Sequence, residues 1–349
     1  MNKVNFKNER VKREYFRYLK YAGRCCASTV NNHETAISAW DDFTNNEDFG
    51  AFNQDKAIDF MDWLLSRGPN GRPPALSTYR SYVRHLRRFF GWLSQQKEYR
   101  NHVNANDVAF LRISFKQDRM AQQTNPRSYP TNIDYVRKMI DAIVCRNEID
   151  QRDRALISFT LLSGMRDHAI VTLPLGCFDP ETWIIFQDPK QGVQTKFSNL
   201  YPTSLFPFDK AMLDYVVEWS KYLVKKGFGA RDPFFPRAKM SPMTNEAAFE
   251  TATEVEPVFW KGTGRIREIF KSRSQKAGLR YYPPHTFRHL AVDLAFQAYN
   301  LEELKAISQN LGHKHIATTL GSYATYTPQK LSEIVKRMTG RLSGNNGSK

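Results

Sequence analysis

The chain has 349 residues, of which 41% are hydrophobic and 13% aromatic, and its 51 lysines and arginines against 35 aspartates and glutamates give a net charge of +16. This composition excludes a largely disordered chain. The length exceeds the roughly 100 to 200 residues of one typical domain, so two folded domains are expected. The positive charge favours a polyanionic partner such as nucleic acid, because basic side chains near phosphates release condensed counterions.

The four cysteines argue against disulfides and against a metal centre. Cys25 and Cys26 are adjacent, and Cys145 and Cys177 are isolated, so no C-x-x-C pair or metal-ligand spacing exists. The N-terminus lacks the apolar segment of a secretory signal, and the chain has no uncharged apolar run of about 18 residues. We therefore predict a cytoplasmic protein with reduced thiols, no metal, no other cofactor and no membrane contact.

Amphipathic helices are predicted throughout the first third of the chain. In the segment 77–99, apolar side chains fall on one side of a helix and four arginines on the other, at 100° per residue. These arginines are Arg80, Arg84, Arg87 and Arg88. Such a stripe is typical of a solvated helix face and also of a face that meets phosphate. We predict that this face binds DNA.

Residues 112–130 are polar and weakly periodic, which is typical of a linker. The predicted division is a helical domain over 1–117, a linker over 118–128, a second domain over 129–340 and a flexible tail over 341–349. In the second domain, a helix that ends at Gly164 is followed by two strand-like segments, TWIIFQD and LYPTSLFPF, which flank a connection containing lysines. Helical patterns then resume with DKAMLDYVVEWSKYLVKK, and an acidic insertion at 242–259 separates this helix from the later ones.

The second domain carries an ordered series of reactive side chains. The series is Arg166, Lys196, His285, Arg288, His313 and Tyr323. Each residue taken alone is common, but together they match the needs of phosphodiester cleavage without a metal. Two arginines can neutralise the charge that develops on the phosphate oxygens, and a tyrosine can attack the phosphorus.

The remaining residues of the series suit proton transfer and phosphate binding. His285 and Arg288 are three positions apart, so both side chains project to the same side at the start of one helix. His313, in a Leu-Gly-His turn, could donate to the phosphate from another direction. Lys196, in the connection between the two strands, could protonate the leaving 5′-oxygen.

In this order and over this length, the series resembles the tyrosine recombinase family. The resemblance implies a mainly α fold, with a helical SAM-like core-binding domain and a mixed α/β catalytic domain that contains a small antiparallel sheet. It implies a site-specific DNA recombinase or integrase that clamps duplex DNA, forms a 3′-phosphotyrosyl intermediate without metal or ATP, and exchanges strands through a Holliday junction.

The resemblance also implies partners. These are double-stranded DNA with a specific recombination site, further copies of the chain in a homotetramer on DNA, and accessory DNA-bending factors, with a monomer or dimer in the absence of DNA. The segment PQKLSEIVKRMTG, beyond Tyr323, would dock on a neighbouring protomer.

The sequence departs from the family pattern in ways that leave alternatives open. Relatives usually have an acidic residue three positions after the first arginine, where this chain has Ala169, so the support of Arg166 must differ. Tyr326 competes with Tyr323 as the nucleophile, and Lys190 competes with Lys196 as the acid. The alternative functions are a catalytically silent DNA-binding or architectural protein of the same fold and an enzyme like type IB topoisomerases.

Overall fold

The computed structural model describes residues 4–123, 128–239, 252–295, 301–312 and Ser332. The chain divides into two compact units, Met1–Pro126 and Arg127–Lys349. The described residues are mainly helical and include a small antiparallel sheet in the second unit. The predicted fold class is therefore confirmed. None of the described helices combines the length and the apolar character that crossing a bilayer requires.

The first unit is helical. Its α-helices are α1 (Phe6–Tyr21), α2 (Ala27–Thr44), α3 (Gln54–Ser66), α4 (Leu76–Leu93), α5 (Ala105–Val108) and α6 (Phe115–Gln123). The predicted amphipathic pattern of α4 is realised, since Val83, Leu86, Phe89 and Phe90 lie in the core. An aromatic cluster around Trp40 of α2 packs against this face, so the opposite face of α4, with its arginines, is turned away from the core.

Helix α6 occupies part of the segment predicted as a linker. Residues 118–123 continue a helix that starts at Phe115, and Asp118 of this helix forms an ion pair with Arg80 of α4. The segment has little apolar periodicity of its own. Contact with α4 stabilises it as a helix, and a local sequence pattern cannot predict such a contact between distant segments.

The second unit surrounds a buried helix with other helices, a three-stranded antiparallel sheet and a two-stranded one. Its α-helices are α7 (Ile133–Asp141), α8 (Glu148–Ser163), α9 (Asp167–Val171), α10 (Lys210–Lys225), α11 (Gly264–Lys276), α12 (Phe287–Ala295) and α13 (Leu301–Asn310). Its strands are β1 (Phe178–Asp179), β2 (Ile184–Gln187), β3 (Tyr201–Ser204), β4 (Arg237–Ala238) and β5 (Val255–Glu256).

Strands β1, β2 and β3 form one antiparallel sheet in that order, and Gln187 of β2 pairs with Tyr201 of β3. The two segments with predicted strand character thus contain β2 and β3. Strand β5, at the end of the acidic insertion, pairs with β4. The part of the insertion between residues 239 and 252 lies outside the described residues.

Helix α8 is buried on nearly all sides and is held by charged side chains as well as apolar ones. Arg152 is fully buried and donates to Asp153 from Nε at 3.0 Å and from Nη2 at 2.7 Å. Arg273 of α11 donates to Asp153 at 2.8 Å and to Asp150 at 2.7 Å. Because these buried charges are paired and hydrogen-bonded, the network fixes α11 against α8 without leaving an uncompensated ion.

A pair of buried histidines connects α2 and α4 in the core of the first unit. His33 of α2 and His85 of α4 are 1% and 6% exposed, and His33 Nε2 lies 3.1 Å from His85 Nδ1. The Tyr15 hydroxyl lies 3.1 Å from His33 Nδ1. Burial, together with the positive charges of Arg84 and Arg88, lowers the pKa of His33 to about 3 and that of His85 to about 4. Both rings are therefore neutral at pH 7.

We predict that the first unit loses stability as the pH falls below about 6.5, the ordinary pKa of histidine. Between that pH and the lowered values of His33 and His85, the unfolded chain binds more protons than the folded chain, so the free energy of unfolding decreases on acidification. Urea unfolding of the full chain should show a loss that approaches about 1.4 kcal/mol per pH unit for each of the two histidines as the pH falls from 6.5 towards 4.

The comparison that checks this prediction is His85→Gln against His102→Gln, since His102 is exposed. The His85→Gln chain should lose less stability than the wild type between pH 7 and pH 5. The His102→Gln chain should follow the wild type. Equal pH dependence in all three proteins would contradict the assignment.

Candidate active site

Arg166 is positioned by the end of helix α8. Gly164 ends the helix with φ +55°, a left-handed conformation that glycine adopts without a Cβ penalty. The chain changes direction at Gly164, and Arg166 is the residue that precedes α9. Its side chain is half-buried.

Arg288 joins two chain segments that are far apart in sequence. It lies in the first turn of α12 and is 8% exposed. Its Nη1 donates to the carbonyl oxygen of Gly164 at 2.6 Å, and its Nη2 donates to the carbonyl oxygen of Leu311 at 2.6 Å. These short, charge-assisted hydrogen bonds hold the end of α8 next to the end of α13.

His285 lies in the 3-10 turn Pro284–Thr286 that leads into α12, and its side chain is exposed. Its positive form acts on Asp167, which is 6% exposed: burial raises the pKa of the Asp167 carboxyl, and the charges of His285 and Arg267 oppose that rise. Asp167, which follows Arg166 directly, is therefore close enough to His285 for their charges to interact. Ala169, three positions after Arg166, is a buried core residue.

The hairpin between β2 and β3 carries both candidate lysines. Lys190 lies in the turn Pro189–Gln191 and Lys196 in the turn Lys196–Ser198, and both side chains are exposed. Tyr201, the first residue of β3, brings this hairpin to Arg166. The Nη1 of Arg166 donates to the Tyr201 hydroxyl at 3.5 Å.

The Tyr201 ring also lies against Gly312, the glycine of the Leu-Gly-His turn. Gly312 has φ +65°, and a Cβ placed there would lie 2.5 Å from Tyr201 Cζ. Only glycine suits this position, because any side chain would be strained by the backbone and would meet the ring. The turn that leads to His313 therefore starts in contact with Tyr201.

Asn310, the last residue of α13, bonds β3 to this helix. Its side-chain Nδ2 donates to the carbonyl oxygen of Ser204 at 2.9 Å, and its Oδ1 accepts from the Ser204 N–H at 2.6 Å. The Thr203 hydroxyl donates to the Asn310 carbonyl at 2.9 Å and accepts from Gln187 Nε2 at 2.6 Å. A cleft of about 660 Å³, which Tyr201, Asn310 and Gly312 help to line, lies beside these contacts.

The structure thus gathers Arg166, His285 and Arg288 around the end of α8, and Tyr201 attaches the lysine-bearing hairpin to them. His313, Tyr323 and the alternative nucleophile Tyr326 lie outside the described residues. In the described part of the chain, no group of three or more His, Cys, Asp or Glu side chains could hold a metal ion.

The predicted DNA-binding arginines lie on α4 in the first unit. Arg84, Arg87 and Arg88 are exposed, and Arg80 is paired with Asp118. Arg88 lies near Cys25, with Nη1 4.0 Å from the Cys25 Sγ.

Sequence reasoning did not single out Asp167, Tyr201 or Asn310. Asp167 follows Arg166 directly, which is the one local signal that could have drawn attention to it. The contacts of Tyr201 and Asn310 span 35 and 106 residues of sequence, so no local pattern indicates them.

Comparison with solved structures shows which known folds resemble this one. A lambda integrase dimer bound to a COC′ core site matches with a TM-score of 0.61 and 15% identity, covering 90% of this chain and 94% of that one. The XerH site-specific recombinase bound to a palindromic difH substrate matches with a TM-score of 0.60 and 15% identity, covering 91% and 82%. The Tn1549 transposon integrase in complex with a circular intermediate DNA matches with a TM-score of 0.56 and 16% identity, covering 94% and 99%.

The chain has the tyrosine recombinase fold. Comparisons with models of known protein families and with curated proteins found no match. The likeness to solved tyrosine recombinases is therefore one of three-dimensional structure at low identity. It covers at least nine tenths of this chain in each of the three comparisons, so it includes both compact units.

We predict that Arg288→Met destabilises this tyrosine recombinase fold by about 2 to 4 kcal/mol, because it leaves the buried carbonyls of Gly164 and Leu311 without their donor. Urea unfolding measures the loss. Arg87→Met, on the exposed face of α4, is the matched control and should change the stability by less than about 0.5 kcal/mol. Equal stability of the two variants would contradict a bridging role for Arg288.

Proposed function

We propose that the chain is a site-specific DNA recombinase or integrase that breaks and rejoins DNA through a 3′-phosphotyrosyl intermediate. The observation that carries the proposal is the grouping of Arg166, His285 and Arg288 at the end of α8 in a chain with the tyrosine recombinase fold. Two separate chain segments contribute these groups, one with Arg166 and one with His285 and Arg288, and their chemistry is that of phosphate recognition.

In the proposed reaction, the guanidinium of Arg166 and the buried charge of Arg288 stabilise the negative charge that develops on the non-bridging oxygens of the scissile phosphate. His285 and His313 donate hydrogen bonds to the same oxygens. These interactions are stronger in the transition state than in the ground state, because the charge on the oxygens grows as the nucleophile attacks.

The covalent step is a transesterification. The Tyr323 oxygen forms a bond to phosphorus, and the bond from phosphorus to the 5′-oxygen breaks. The Tyr323 proton passes to a base or to water, and Lys196 supplies a proton to the leaving 5′-oxygen. Attack by a 5′-hydroxyl on the phosphotyrosine reverses these steps and rejoins a strand, so the bond energy is conserved and no ATP is consumed.

Solved structures support the proposed partners. Lambda integrase has been solved as a tetramer bound to a Holliday junction, and this chain matches it with a TM-score of 0.57 and 14% identity. We propose double-stranded DNA with a specific site as the substrate and a homotetramer as the assembly that exchanges strands. Off DNA, the proposed state is a monomer or dimer, and accessory DNA-bending factors are proposed further partners.

We also propose that residues 1–117 bind the core site and that residues 129–340 hold the chemistry. The exposed arginines of α4 support the first assignment, since Arg84, Arg87 and Arg88 present forked donors that suit phosphate.

We predict that the full chain becomes covalently attached to a nicked duplex carrying its site, and that Tyr323→Phe abolishes attachment while DNA binding persists. The duplex is first selected from a randomised pool by its binding to the Tyr323→Phe chain. Arg166→Ala should slow attachment by about 100- to 1000-fold, because it removes charge stabilisation in the transition state. Denaturing gels report the attached fraction, with and without EDTA.

Three outcomes would change the proposal. Attachment that persists in Tyr323→Phe and disappears in Tyr326→Phe would transfer the nucleophile to Tyr326. Binding without attachment in the wild-type chain would favour the silent DNA-binding alternative. Relaxation of supercoiled DNA without any site preference would favour an enzyme like type IB topoisomerases.

The arginine stripe makes a separate prediction about salt. Replacement of Arg84, Arg87 or Arg88 by glutamine should reduce the slope of log K against log salt by about 0.9 each, since each loses one phosphate contact. Arg13→Gln is the matched control because Arg13 is exposed on α1, outside the stripe. Fluorescence anisotropy over a salt series measures the slopes, and unchanged slopes in all three stripe variants would exclude this face as a DNA contact.

A further inference from the structure

We propose that Tyr201 is a positioning residue, which holds the guanidinium of Arg166 beside the Gly312 turn and thereby links the lysine-bearing hairpin to the phosphate-binding arginine. The inference rests on the proposed function, because Arg166 is a candidate catalytic residue only if the chain cleaves DNA.

The geometry around Tyr201 has two independent parts. Its hydroxyl accepts a hydrogen bond from Arg166 Nη1 at 3.5 Å, and its ring fills the space where a Cβ of Gly312 would lie. One side chain of β3 thus contacts both the segment after α8 and the segment after α13. The Arg288 bridge between Gly164 and Leu311 joins the same two segments, so Tyr201 and Arg288 fix them at two points.

The chemical nature of the acceptor matters. The position three residues after Arg166 holds the buried Ala169, which offers no carboxylate to the guanidinium. The nearby Asp167 carboxylate interacts with His285 and Arg267 instead. A phenol oxygen orients a guanidinium through a hydrogen bond without cancelling its charge, so the full positive charge of Arg166 remains available to the phosphate.

Tyr201 also connects two catalytic functions. It begins the strand that follows the connection containing Lys190 and Lys196, and β3 is anchored to α13 through Ser204 and Asn310. The strand that follows the proposed proton donor, Lys196, is therefore hydrogen-bonded to Arg166, the arginine proposed to bind the non-bridging oxygens. Correct placement of the hairpin and correct placement of Arg166 depend on the same residue.

The experiment compares Tyr201→Phe with the wild-type chain on two nicked duplexes of the selected site sequence. One duplex has the natural scissile phosphate, and the other has a methylphosphonate, which lacks the negative charge that Arg166 would stabilise. We expect Tyr201→Phe to slow single-turnover attachment by about 10- to 100-fold on the phosphate, the range expected when a catalytic group is displaced by about 1 Å. On the methylphosphonate we expect a rate close to that of the wild type.

Each other outcome is decisive. Equal slowing on both substrates would show a general structural role and overturn the inference, as would unchanged rates on both. A wild-type chain that attaches to neither substrate would overturn the proposed function, and the inference with it. A wild-type chain that cleaves, combined with an unaffected Tyr201→Phe, would overturn the inference alone.

Two controls guard against misfolding. Tyr201→Phe keeps the ring against Gly312, so its urea unfolding should match that of the wild type. Tyr135→Phe removes a hydroxyl that donates to the carbonyl of Arg280 at 2.6 Å elsewhere in the same unit. It should leave the ratio of the phosphate rate to the methylphosphonate rate unchanged, and a change in that ratio as large as that of Tyr201→Phe would overturn the inference.

Discussion

The guanidinium of Arg288 is the constraint on which the candidate site depends. It is buried, and it donates to the carbonyl oxygens of Gly164 and Leu311, which belong to segments 147 residues apart in sequence. A buried charge of this kind is tolerated only where hydrogen bonds replace its water. The carbonyl oxygens at the ends of α8 and α13 accept the hydrogen bonds that the buried guanidinium needs. In turn, the guanidinium fixes the positions from which Arg166 and the Gly312 turn begin.

Much of the second unit could be predicted from sequence, because its signals are local. Gly164 ends α8 as its position after an apolar helix indicates, and the two strand-like segments form the hairpin that carries Lys196. The helix over residues 118–123 and the contacts of Tyr201 and Asn310 could not be predicted in the same way. This helix and these contacts depend on residues elsewhere in the chain. A single sequence does not indicate which distant residues are in contact.

Charge is distributed differently in the two units. In the second, buried arginines are paired with carboxylates or carbonyls, as Arg152 is with Asp153. In the first, Arg84 and Arg88 are exposed above a core that contains the neutral pair His33 and His85, whose pKa values they help to lower. We expect that phosphates bound against this helix would offset the arginine charges and raise both pKa values, which couples ligand binding to the protonation of the core.

The hydrogen bonds of the Asn310 side-chain amide affect how other molecules can bind to the sheet. In the register with β2, the backbone of Pro202 and Ser204 faces the outer edge of β3. Pro202 has no N–H to offer, and both backbone groups of Ser204 are bonded to Asn310. Because these backbone groups are missing or already bonded, an extra strand cannot pair with this edge through a ladder of backbone hydrogen bonds. A protein that binds beside β3 has to recognise the shape and the side chains of this edge, which makes the contact specific to sequence and protects the sheet against indiscriminate pairing.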